Sequence, residues 1–91
     1  MKWLRRAAEQ GFADAQNDLG YLYAYGRGVP QDYVAAHMWF NLAASRPQSG
    51  ADRDRSVKNR DVVASKMTPG EIAEAQRLAR EWRPKQAQPS Q

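Results

Sequence analysis

Trp3-Leu4-Arg5-Arg6-Ala7-Ala8 returns as Trp39-Phe40-Asn41-Leu42-Ala43-Ala44, so a tryptophan, a large apolar residue and an alanine pair recur 36 positions apart. In a chain of 91 residues, a period of that size points to a helical hairpin used as a repeat unit. Such a hairpin cannot bury its apolar face alone and must stack on neighbours. The expected fold is all-α: a short α-solenoid of antiparallel helical hairpins, with about five helices in this length.

Between the two copies the chain reads as two helices and a glycine-rich corner. From Ala13 to Tyr25, Ala15, Leu19 and Leu22 fall at i, i+4 and i+7, with Tyr23 four residues after Leu19, which is a helical stripe. Gly26-Arg27-Gly28-Val29-Pro30 stops that helix, because glycine suits the left-handed position past a helix end and Pro30 keeps Val29 extended. Asp32 is placed to cap the next helix, Tyr33 to Ser45. That helix is apolar around most of its circumference and needs cover on two sides, with only His37, Asn41 and Ser45 along one polar edge. Gly20 and the alanine pairs would let helix axes come close.

The repeat is lost after the turn-rich Arg46-Pro47-Gln48-Ser49-Gly50. Ala51 to Met67 reads as a charged helix packed along one side through Val57, Val63, Ala64 and Met67. Thr68-Pro69-Gly70-Glu71 is a capping box with proline at the first helical position, and Ile72, Ala75, Ala79 and Trp82 give the last helix one apolar face before Pro84. The expected organisation takes residues 1–11 as the second helix of a truncated leading repeat and 12–46 as one full repeat. Residues 47–83 follow as a divergent capping hairpin, and 84–91 as a disordered polar tail.

Composition removes most chemistry. Without cysteine there is no disulfide framework, thiolate nucleophile or cysteine-bearing metal site, and one histidine cannot form a two-histidine metal pair, so neither metal nor cofactor is expected. No apolar run reaches the roughly 18 to 20 residues that span a bilayer. The N-terminal stretch also lacks the pattern of a signal peptide. A soluble chain of the cytoplasm or periplasm is expected. The net charge of +4 sits entirely after Ser45, since Lys2, Arg5, Arg6 and Arg27 offset Glu9, Asp14, Asp18 and Asp32.

The string Ala7-Ala8-Glu9-Gln10-Gly11, Ala13-Asp14-Ala15-Gln16, Leu19-Gly20, Tyr23, Gly26 to Tyr33, Ala36 and Trp39 to Ala44 resembles the bacterial Sel-one-like repeats, relatives of the tetratricopeptide repeats. The segment from Arg60 through Thr68-Pro69 to Trp82 looks like the closing segment that follows the last such repeat. The resemblance implies a non-catalytic scaffold that holds protein or peptide partners. Some secreted members pair cysteines within each repeat; this chain has none, so that framework and the penicillin-binding or β-lactamase-like activities reported with it do not carry over.

Asp14, Asn17, Asp18, Tyr21 and Tyr25 are the candidate partner-binding residues. Asp14, Asp18, Tyr21 and Tyr25 are spaced i, i+4, i+7 and i+11 on a face that the apolar stripe leaves unused, with Asn17 beside it. The bland alternative is a solvated helix face. Two open aspartates with nothing to separate their pKa values are not an acid/base pair, so no catalytic residue is assigned and a hydrolase ranks last. Trp3, Trp39 and Trp82 are expected to pack in the core, and His37 to lie exposed or at a rim. The first helix nevertheless lacks a partner for the face bearing Trp3, Leu4 and Ala7, which makes self-association as a homo-oligomer the competing reading. Arg77, Arg80, Arg83 and Lys85 could follow a phosphate backbone, but Glu74, Arg77 and Glu81 form opposite-sign helical pairs, and a nucleic-acid partner is disfavoured.

Overall fold

A computed structural model describes residues 2–46 and 48–84. They form five helices: α1 (Lys2–Glu9), α2 (Ala13–Tyr25), α3 (Tyr33–Ala44), α4 (Gly50–Ala64) and α5 (Pro69–Glu81). No strand occurs among the described residues. Of the tail expected over residues 84–91, all but Pro84 lies outside them.

Each boundary has a local cause. Gly26 adopts φ 65°, and the Arg27 N–H reaches back to the Leu22 carbonyl at 2.9 Å, which closes the end of α2 as a left-handed glycine cap. The corner is then tied by the Asp32 N–H to the Tyr23 carbonyl and by the Gln31 side-chain amide to the Ala24 carbonyl, each at 2.9 Å. Asp32 accepts the Ala35 N–H and starts α3 as expected. Ser49 accepts the Asp52 N–H and starts α4 at Gly50, one residue before the expected Ala51. The capping box of α5 is complete in both directions: Glu71 N–H to Thr68 Oγ1, and Thr68 N–H to Glu71 Oε1. Helix α4 ends at Ala64 and not Met67; the Lys66 and Met67 N–H groups donate three residues back, to Val63 and Ala64, tightening the chain toward Thr68.

Helix α3 is the centre of the molecule, packed against α2, α4 and α5. Two apolar clusters divide along it. The first joins Ala8, Ala15, Leu19, Trp39 and Leu42, with Leu4, Ala7, Ala79 and Trp82 against them, so α1 and α5 meet the α2–α3 hairpin there. The second joins Ala24, Ala36, Phe40 and Val63, with Met67 beside them, so α4 meets the hairpin there. The expected demand of α3 for cover on two sides is met in this way. Trp39 and Trp82 are set edge to face, ring centroids 6.0 Å apart, an arrangement the ring quadrupoles favour. Arg46 lies over Trp82 and donates from Nε to the Gly11 carbonyl at 2.9 Å, tying the α1–α2 corner to the end of α5.

Gly20 governs the α2–α3 approach. A Cβ there would stand 2.8 Å from the Phe40 ring and 3.2 Å from the Ala36 carbonyl oxygen, so only glycine allows this helix spacing.

Candidate protein-binding face

Helix α2 is held on three sides. Ala15 and Leu19 enter the first cluster and Ala24 the second, while Gly20 abuts Phe40. At 100° per residue, Tyr21, Asp14, Tyr25 and Asp18 fall within about 60° of one another on the remaining side. All four are exposed. The rings of Tyr21 and Tyr25, 46% and 56% exposed, contact each other with centroids 4.7 Å apart at an interplanar angle of 50°. The chain thus presents two exposed aromatic rings with two carboxylates on the preceding turns of the same face.

Asn17 does not belong to that face. It is only 6% exposed, and its Oδ1 accepts from Ser56 Oγ at 3.3 Å and from Asn59 Nδ2 at 3.2 Å. The sequence reading set it beside that face; it lies at the edge nearest α4 and is consumed in joining the two helices. Arg60 extends the same seam to α3, donating from Nη1 to Asn41 Oδ1 at 3.1 Å. Ser56, Asn59 and Arg60 carried no role in the sequence reading. The signal that could have found them is their i, i+3, i+4 spacing, which puts all three on one side of α4.

Two further expectations are corrected. His37 was expected at an exposed or rim position and is 3% exposed, with Nδ1 lacking a hydrogen-bond partner among the described residues. Burial, and secondarily the charge of Arg60, lower its pKa, while Asp61 acts in the opposite sense. The histidine edge of α3 is polar in sequence, yet α4 docks against it. Trp3 was expected in the core and is 79% exposed, because no helix among the described residues lies over that side of α1; Arg6 sits across its ring. Leu4 and Ala7, its companions in the sequence reading, are half-buried against the first cluster. The conflict between a core tryptophan and an uncovered first helix is therefore resolved in favour of exposure. A shallow open groove also runs along the outer side of α4, bounded by Asp54, Val57, Lys58, Asp61 and Val62 of that helix and by Ser65 just past its end.

Among the described residues no group of three or more His, Cys, Asp or Glu side chains could hold a metal ion, and no helix is long and apolar enough to cross a membrane. Stacked hairpins with an open aromatic face on α2 define a helical-repeat module. The chain belongs to the Sel1 repeat family, whose model matches residues 1–12 and 13–47. Sel1 repeats are in general protein-interaction scaffolds without catalytic chemistry of their own. A fungal protein from Malassezia restricta, described as chitin synthase regulator SKT5, is 39% identical over 49 residues, which is 54% of this chain and 3% of that protein. The family likeness thus extends to a fungal relative, and the chain spans a small part of its length. No solved structure matches the chain.

Proposed function

We propose that the chain is a non-catalytic scaffold that presents the α2 face to a protein or peptide partner. The observation that carries this is the exposed Tyr21–Tyr25 pair on a helix whose other sides are committed to packing. Two rings held against each other lose little conformational entropy on binding, which makes them good contact residues. Asp14 and Asp18 flank the rings and set the orientation of the bound segment, while Asn17 fixes α2 against α4 beneath them. The description of the fungal relative as a regulator supports a role in holding other proteins. In this reading residues 1–11 and 12–46 are the stacking units and 47–83 the cap. Tyr21→Ala combined with Tyr25→Ala should abolish capture of specific proteins from lysate while the circular dichroism stays unchanged. An unaltered set of captured proteins would remove the reading.

The second reading, self-association through α1, is favoured by the exposure of Trp3. Leu4 and Ala7 would contribute only the parts of their side chains left outside the first cluster. Light scattering decides it: a monomer at every concentration, with Trp3→Glu changing neither mass nor stability, excludes a dimer through this helix.

A further inference from the structure

We infer that the segment received by the α2 face is basic, with arginine or lysine side chains laid over Tyr21 and Tyr25 and paired with Asp14 and Asp18. The inference rests on the scaffold reading and adds the chemistry of the partner.

The first support is the distribution of unpaired charge. Elsewhere most acidic side chains are engaged: Asp32 and Glu71 cap helices, Asp52 pairs with Arg55, Asp61 with Arg60, and Glu74 and Glu81 with Arg77. The exception among the described residues, Asp54, stands alone on α4, whose sequence also carries Arg53, Arg55 and Lys58. Asp14 and Asp18 have no ion pair or hydrogen bond from another side chain among the described residues, and α2 contains no basic residue. A chain with net charge +4 therefore carries a local stripe of two unneutralised carboxylates, and these flank the exposed tyrosines.

The second support is what covering that stripe requires. Any partner that buries the two rings must also strip water from carboxylates within the same 60° or so of helix surface. Burying a charge without a counter-charge is costly enough to outweigh the apolar gain from two rings. An apolar or acidic segment fails on this ground, whereas a cationic one offsets the desolvation with charge-assisted hydrogen bonds. The ring faces favour the same partner, because their quadrupoles attract cations. The chain already seats guanidinium groups on its aromatics: Arg5 lies over Tyr23 and donates to its hydroxyl, Arg6 lies over Trp3, and Arg46 over Trp82. Tyr21 and Tyr25 have no such cation among the described residues.

The dimensions fit an extended segment. Asp14 and Asp18 are about 6 Å apart along the helix axis, close to the i, i+2 repeat of an extended chain, and the stripe from Asp14 to Tyr25 runs about 16 Å, or roughly five extended residues. Same-side cations in such a segment would meet the carboxylates first and the rings next. Arginine suits the rings better than lysine, since its planar group stacks while still donating to a carboxylate.

The test uses the full chain and three labelled peptides, alternating arginine with serine, glutamate with serine, and glutamine with serine, followed by fluorescence anisotropy. The arginine peptide should bind at least tenfold more tightly than the other two. Asp14→Asn with Asp18→Asn should lower its affinity at least tenfold with unchanged circular dichroism, and Tyr21→Ala with Tyr25→Ala should do the same. Asp54→Asn, an unpaired carboxylate on the outer side of α4, should change it less than twofold. Equal binding of the glutamine peptide, or an unaffected Asp14→Asn/Asp18→Asn variant, would overturn the inference. So would light scattering showing that the same aspartate changes dissolve a self-associated species, since the stripe would then be occupied by a second copy. The two readings are separable in lysate. If the tyrosine variant loses its captured proteins and the asparagine variant keeps them, the scaffold reading stands and the basic partner does not. If the tyrosine variant keeps them, the scaffold reading itself fails.

Discussion

Ser56 donates its hydroxyl to Asn17 Oδ1 across the boundary between α4 and α2, joining residues 39 positions apart in the chain. Asn59 donates to the same oxygen, so one buried amide anchors α4 to α2. The apolar contacts of the second cluster bring α4 to the hairpin, and this seam sets its register along α2.

Asn17→Ala should therefore destabilise the chain by about 1 to 3 kcal/mol, because Ser56 Oγ is left buried without its acceptor. Urea denaturation followed by circular dichroism measures the change. A cost close to zero would mean that water enters the seam and replaces the amide.

Gly20→Ala pits a helix-propensity gain of about 1 kcal/mol against overpacking of about 1 to 3 kcal/mol. The added Cβ meets the Phe40 ring at 2.8 Å and the Ala36 carbonyl oxygen at 3.2 Å, and that oxygen belongs to the helix backbone. A net loss of about 1 kcal/mol is expected in thermal unfolding. A rise in melting temperature would show that α2 and α3 can separate freely.

Trp39→Ala should cost about 3 to 5 kcal/mol, since it opens a cavity in the first cluster and removes the edge-to-face contact with Trp82. That is a large part of the stability available to a domain of this size. Trp82→Ala should cost less, as Trp82 is only partly buried. If the two variants melt alike, the cluster is not centred on Trp39.

His37 makes stability depend on pH in a defined direction. Its pKa is lowered from the ordinary 6.5 by burial first and then by Arg60, while Asp61 on the same helix opposes them. The unfolded chain takes up a proton as pH falls through 6.5, and the folded chain resists until lower pH, so stability is full above that value and declines below it. His37→Gln should remove this decline between neutral and mildly acidic pH, as read by denaturation midpoints across the range. Persistence of an identical decline in the variant would assign it to other groups.

Local signals carried much of the fold. The glycine corner after Tyr25 and the capping box at Thr68 act within a few residues of themselves, and the 36-residue recurrence of Trp3 at Trp39 marks the hairpin unit between the two tryptophans. Helix α2 accordingly spans the expected Ala13–Tyr25. The candidate face was legible to the same extent, since a spacing of i, i+4, i+7 and i+11 puts Asp14, Asp18, Tyr21 and Tyr25 on one side wherever the helix docks.

Docking itself was not legible. Asn17 and His37 look like surface polar residues because their own helices leave them on a polar edge, yet α4 covers both. Trp3 looks like core because its stripe is apolar, yet no described helix lies against it. Periodicity, caps and turns, all readable in the chain, set which residues each helix could offer on each side. Which of those sides another helix covers is settled in the folded molecule, because it rests on contacts between segments about 40 residues apart, such as Asn17 with Ser56 and Asn59, for which no local rule of spacing exists.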